Sequence, residues 1–224
     1  MSLILNIDIS TNTALINIAE NGLIVQEEKN KEQKDHAAFL QPAIQSLIKK
    51  AAITLNDLAA IAVAYGPGSY TGLRVGMASA KGLCFALNKP LITVGSLEIL
   101  TVAAISQLEQ NDIENILFSP MIDARRMEVF TATYNSSLNM ISSPSAVILD
   151  ESSWLKELLN GQVAFFGNGA AKWQQLCSHK NALFLSTADN GLAMSKLSFQ
   201  KMLKHDFADL VYSEPLYIKE FYLG

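Results

Sequence analysis

The sequence predicts an α/β protein in which one unit of strands and helices is used twice, each time around a mixed sheet. Three observations lead there. Apolar residues alternate at Leu3, Leu5, Ile7 and Ile9, and again at Ala14, Ile16 and Ile18, with Leu23–Gln26 as a third short run. Strand–helix alternation follows. The same order then returns, less sharply, in the second half. Of the 224 residues, 50% are hydrophobic and 17% charged, enough apolar content for one large domain or two small ones and too little charge for disorder.

The elements follow in order. Asn21-Gly22 between alternating runs signals a hairpin, so the start reads as an antiparallel meander. Glu27–Asp35 is a polar connection of mixed sign. Asp35 is placed to cap a helix over His36–Ala51, with Ala37, Leu40, Ile44, Leu47, Ile48 and Ala51 on one face. Thr54 and Asn56-Asp57 form a turn or short helix, and Ile61–Tyr65 is a buried strand. A glycine-rich turn, Gly66–Gly72, leads into a helix over Thr71–Leu87. Within it Gly72, Gly76 and Ala80 recur every four residues. Glycine in a helix costs about 1 kcal/mol against alanine, so the stripe implies close approach of another backbone. Leu91–Val94 is a strand, and Ser96 caps a third helix. Ile116–Ile122, Met127–Tyr134 and Val163–Phe166 read as strands, with helices around Trp173 and over Ala188–Leu203 and an extended tail at Glu214–Ile218.

Composition excludes several classes. A net charge of −4 and a pI of about 5.4 argue against a protein that grips nucleic acid by itself. Cys84 and Cys177 form no CxxC pair, which removes thiolate-rich zinc and thioredoxin-like sites. Mean hydropathy is +0.20, but the longest clean apolar stretch, Leu58–Tyr65, is too short to span a bilayer. No basic region precedes the first apolar run, so no signal peptide is expected. His36 has Leu40 four residues on, and His179 and His205 lack obvious partners, so no metal site is expected.

Three places suit chemistry. Asp8, Ser10 and Thr11 end the first strand in a turn whose small residues suit a phosphate loop or an ordinary strand-end turn. The Gly66–Gly76 block lies between a buried strand and a helix start, a natural anion site, yet it is neither a P-loop nor a dinucleotide fingerprint. Phosphate binding and tight helix packing both account for it. Arg125 and Arg126 are two of only three arginines and sit at an expected hairpin tip, which suits phosphate or RNA contact or a plain exposed turn. No G-x-S-x-G elbow appears, which leaves Ser-His-Asp chemistry without a motif but open.

Three segments together resemble the TsaB (YeaZ) family: Leu3–Ser10, Tyr65–Gly76 and Met121–Phe130, with Pro215–Ile218 closing the pattern. The resemblance covers nearly the whole chain. It implies an actin-like ATPase (ASKHA) fold of two RNase H-like lobes, expected at 1–102 and 103–207, with the tail 208–224 returning to the first. It implies a cytoplasmic, non-catalytic subunit that activates a TsaD-like transferase in making N6-threonylcarbamoyladenosine in tRNAs reading A-starting codons. A TsaE-like ATPase is a further partner, self-association is expected when alone, and tRNA is met only through the complex. ATP is used by the pathway, and no cofactor is expected to bind this chain tightly. TsaD carries an H-x-x-x-H metal motif, from which His36 and Leu40 depart. The label glycoprotease-like implies peptidase chemistry that these residues do not support. The resemblance also implies a helix–helix partner interface through His36, Leu40, Ile44, Leu47, Gly72, Val75, Gly76, Ser79, Ala80 and Leu83. On that basis Gly76→Leu and Ala80→Leu are expected to weaken the complex and spare the fold. Burial of both faces within the subunit is the other reading of the same residues. The alternative function is a free-standing ATP-dependent small-molecule kinase of the same superfamily, with Gly167-Asn168-Gly169 as a second loop.

Overall fold

The computed structural model describes residues 2–31, 36–109, 113–186 and 190–219. The chain divides into two compact units, Met1–Ser96 with Gly191–Leu216, and Leu97–Asn190 with Tyr217–Gly224.

The first unit opens with the expected meander, β1 (Leu3–Asp8), β2 (Ala14–Glu20) and β3 (Leu23–Asn30), the last also taking in Glu27–Asn30 of the stretch read as a connection. Asn21 and Gly22 both take positive φ, 51° and 83°, as a two-residue hairpin turn requires. β4 (Leu58–Gly66) runs parallel to β1, and β5 (Leu91–Gly95) parallel to β4, giving the order β3-β2-β1-β4-β5. β4 lies between two parallel neighbours, which explains its continuous apolar sequence. Two of its helices are α1 (His36–Lys50) and α2 (Tyr70–Leu87). Leu40, Ile44 and Leu47 of α1 and Met77, Ala80 and Cys84 of α2 share one core with Ile7, Ile16 and Val63. Asn88, at φ 52°, stops α2 as a left-handed cap. The Thr54–Asp57 turn is a single 3₁₀ turn closed by a capping box. The cap expected at Asp35 lies outside the described residues.

The second unit repeats the plan. It has α3 (Ser96–Ile105), β6 (Ile116–Asp123), β7 (Glu128–Tyr134), β8 (Met140–Ile148), α4 (Leu155–Asn160), β9 (Gln162–Phe166), α5 (Ala170–Gln174) and β10 (Ala182–Phe184). Its sheet order is β10-β9-β6-β7-β8, so β6 takes the central place that β1 has in the first sheet. The β6–β7–β8 pairs are antiparallel and the β6–β9–β10 pairs parallel, as in the first unit. Alternate residues of β9 feed two cores: Ala164 and Phe166 pack with Leu97 and Phe118, and Val163 and Phe165 with Val129 and Trp173. Ser96 begins α3, but its buried Oγ makes no hydrogen bond among the described residues, so the expected cap bond is not formed.

The helix expected over Ala188–Leu203 is α6 (Asn190–Leu203), and from Gly191 onward it belongs to the first unit, not to the second lobe at 103–207. A buried polar network holds it there. Asn17 Nδ2 donates to the Gly191 carbonyl at 3.2 Å, Ser195 Oγ donates to Asn17 Oδ1 at 3.1 Å, and Asn6 Nδ2 donates to the same oxygen at 2.9 Å. The tail returns to this unit as far as Leu216. Ala208 pairs with Leu91, Lys81 Nζ donates to the Val211 and Ser213 carbonyls, and the Leu216 N–H donates to the Tyr65 carbonyl. No helix among the described residues is long and apolar enough to cross a membrane.

Candidate functional site

β1 ends at Asp8, a buried carboxylate. Its Oδ1 accepts the Ser10 N–H at 3.0 Å and the Ser10 hydroxyl at 2.6 Å. Burial pushes the Asp8 carboxyl above its usual range, while the Ser10 hydrogen bonds and the charge of His36 pull less strongly the other way. A raised folded-state value means that the stability this group lends the fold is fully present below the ordinary carboxylate range. It is lost as pH rises through the folded value. His36, at the start of α1, is itself buried. Asp8, Ser10 and His36 are thus brought together, and Thr11 follows half-buried.

The glycine block docks on this turn. A Cβ on Gly68 would lie 2.2 Å from the Ser10 carbonyl oxygen, and one on Gly72 2.0 Å from that of Ile9. The Ser69 N–H donates to the Ser10 carbonyl at 2.7 Å. Ser69 then caps α2, its Oγ accepting the Gly72 N–H. The carbonyl oxygens of Ser10 and Ile9 face Gly68 and Gly72, and residues 9–13 contain no lysine.

The second unit does the same with Gly167-Asn168-Gly169. A Cβ on Gly167, at φ 96°, would lie 2.4 Å from the Met121 carbonyl oxygen, and the Gly169 N–H donates to that oxygen at 2.9 Å. The segment packs against the end of β6 as the Gly66–Gly72 block packs against the end of β1.

The expected partner-interface residues divide by burial. His36, Leu40, Ile44 and Leu47 of α1 and Gly72, Gly76 and Ala80 of α2 are buried within the unit, while Val75, Ser79 and Leu83 are half-buried. The Gly72–Gly76–Ala80 stripe admits the unit's own chain: a Cβ on Gly76 meets Ile9 at 3.3 Å. Gly76→Leu and Ala80→Leu therefore overpack this unit's core, which corrects the expectation that they spare the fold. The outward surface is different. On α2 it carries Ala78, Gly82, Ala86 and Phe85, the last 82% exposed; on α1 it carries Ala37, Ala38 and Pro42. Gln41 Nε2 donates to Ser79 Oγ between the helices at 3.4 Å. Periodicity alone misses Phe85 because it stands on the side away from the apolar face.

Arg125 and Arg126 sit at the β6–β7 hairpin tip, both exposed and both at positive φ, 66° and 45°. A left-handed residue other than glycine costs roughly 1–2 kcal/mol. The Arg125 N–H donates to Asp123 Oδ1 at 2.6 Å, and Lys172 Nζ donates to the same oxygen at 2.7 Å. Asn168 Oδ1 accepts the Asp123 N–H at 2.9 Å, and Lys219 pairs with Glu128. The sequence does not announce Asn168 or Lys172 as tip residues, because they arrive from α5 and the loop before it. Among the described residues no group of three or more His, Cys, Asp or Glu side chains is placed to hold a metal ion.

Known proteins share this architecture. The family model described as "TsaD: tRNA N6-adenosine threonylcarbamoyltransferase" matches residues 24–208. The chain is similar to the tRNA threonylcarbamoyladenosine biosynthesis protein TsaB of Bacillus subtilis, 34% identical over 178 residues, which is 77% of this chain and 74% of that protein. It is also similar to a tRNA N6-adenosine threonylcarbamoyltransferase of Solidesulfovibrio magneticus, 37% identical over 117 residues, but this covers 46% of the chain and only 32% of the transferase. Among solved structures, YeaZ from Pseudomonas aeruginosa superposes with a TM-score of 0.76 at 21% identity, covering 97% of this chain and 100% of that one. A ROK hexokinase from Thermus thermophilus superposes at 0.50 with 10% identity, covering 91% and 99%. The fold is the actin-like ATPase fold, two mixed sheets flanked by helices. The match to the transferase is partial, whereas the matches to TsaB and YeaZ run through most of both chains. The chain belongs to the TsaB (YeaZ) family and takes part in tRNA threonylcarbamoyladenosine biosynthesis.

Proposed function

We propose that this chain is the non-catalytic subunit that binds and activates a TsaD-like transferase, in the cytoplasm, during N6-threonylcarbamoyladenosine formation on tRNAs reading A-starting codons. The observation that carries the reading is Leu40. The resemblance places it where the transferase has the second histidine of its metal motif, and here it is a fully buried core side chain. A leucine there gives a metal no ligand, so the chemistry falls to the partner. A TsaE-like ATPase joins the assembly, tRNA is met through it, and the free chain self-associates.

The outward surface of α1 and α2 is the partner face in this reading. Its alanines and glycine allow a facing helix to approach closely, and Phe85 supplies one large apolar anchor. Burying a phenylalanine is worth about 1.5–3 kcal/mol, or roughly tenfold to a hundredfold in affinity. Phe85→Ser is therefore expected to weaken binding of the TsaD-like protein by at least about tenfold in a titration, with the melting temperature unchanged. Equal affinity would place the interface elsewhere.

We further propose that the isolated chain binds ATP weakly or not at all, because the β1 turn and the glycine block occupy each other. Calorimetry is expected to give no micromolar binding. Micromolar affinity with turnover would favour a small-molecule kinase instead.

A further inference from the structure

We propose that the Arg125–Arg126 tip binds the RNA phosphate backbone, the place where this chain itself touches tRNA in the assembled complex. The inference rests on the accessory-subunit reading above.

The charges at the tip are sorted. Two of the acids near it are paired with cations, Asp123 with Lys172 at 2.7 Å and Glu128 with Lys219, and Asp150, next to Leu149, is held by the Ser152 N–H and hydroxyl. Neither arginine guanidinium has a hydrogen bond or ion pair among the described residues. The tip thus presents two guanidinium charges with no carboxylate bound to them, on a chain whose net charge is −4. Both arginines are exposed, and their planar forks match phosphate oxygens.

Hydrogen bonds brace the tip. Asn168 holds the Asp123 N–H, Lys172 reaches both Asp123 and the Glu128 carbonyl, and the Leu149 N–H donates to the Met127 carbonyl at 2.8 Å. The arginines therefore project from a braced mount, so binding orders less chain than it would in a free loop. Two left-handed positions in succession suit asparagine and glycine, not arginine. Strained positions held by functional side chains cluster at binding sites. For a turn with no ligand, arginine is a poor choice at both places. RNA is favoured over an acidic protein because the pathway's polyanion is tRNA and the two guanidinium charges lie on one small tip.

The test uses the complex of this chain with its TsaD-like and TsaE-like partners, and an unmodified tRNA transcript that reads an A-starting codon. Affinity is measured against salt for wild type, the reversal Arg125→Glu with Arg126→Glu, and the turn-compatible Arg125→Asn with Arg126→Gly. Each phosphate that is no longer neutralised lowers the slope of log affinity against log salt by about 0.7–0.9. Both double variants are expected to bind tRNA several-fold more weakly with a slope smaller by about one to two. The Asn–Gly variant is expected to melt at or above the wild-type temperature, which separates binding from folding. Wild-type affinity and slope in that variant would overturn the proposal. Weaker binding of the protein partners without tRNA would overturn it in favour of an acidic protein surface. A wild-type chain that enters no complex would overturn both this inference and the reading beneath it.

Discussion

A single methyl group on Gly72 is expected to weaken the first unit severely. The Cβ of Gly72→Ala would sit 2.0 Å from the Ile9 carbonyl oxygen and 3.1 Å from its carbon. Neither side has room to move. Ile9 is buried, and the next carbonyl, that of Ser10, is held by the Ser69 N–H at 2.7 Å. Gly72 lies in the first turn of α2, directly over Ile9. Overpacking against a flexible side chain costs about 1–3 kcal/mol, and a clash with fixed backbone lies at or above the top of that range. For a chain of this size, about 3 kcal/mol corresponds to a melting temperature lower by roughly 6–12 °C. Gly82→Ala is the control. Its Cβ meets nothing within 4 Å on the exposed side of the same helix, so it is expected to gain about 1 kcal/mol. Thermal unfolding of the pair checks this. A Gly72→Ala protein that melts like wild type would mean that the glycine block does not dock on the β1 turn.

That docking also explains what the sequence could and could not disclose. The glycine-rich block stands out in the sequence, but glycine is needed equally by a phosphate loop and by two backbones in contact. The positions of the Ile9 and Ser10 carbonyls show the two backbones in contact, which no local pattern discloses. The first three strands are legible because one side alternates against a core and Asn21-Gly22 has its own turn chemistry. β8 is not, because it is an exposed edge strand with serines and Pro144 and no alternation. β10 has three residues, too few for a period. The apolar faces of α1 and α2 are readable as faces, but helical spacing does not say what covers them. Leu40, Ile44, Leu47, Gly76 and Ala80 meet their own sheet, and the outward surface carries smaller, less patterned residues around Phe85. The membership of α6 depends on Asn17 and Ser195, which are 178 positions apart, and no local pattern carries that.

The largest expected effect is on the pathway. If the chain supplies no catalytic group, its contribution comes entirely through the partner it binds. Transfer should then depend on it strongly, and should weaken in Phe85→Ser in step with the fall in affinity. Preorganising an enzyme by a bound subunit acts on the population of its competent state, so removing the subunit removes turnover without changing the chemistry. The decisive measurement is threonylcarbamoyl transfer to tRNA by the TsaD-like enzyme and TsaE-like ATPase of the same organism, with and without this chain. Multi-turnover transfer is expected only when the chain is present. Full multi-turnover activity in its absence would contradict the accessory-subunit account.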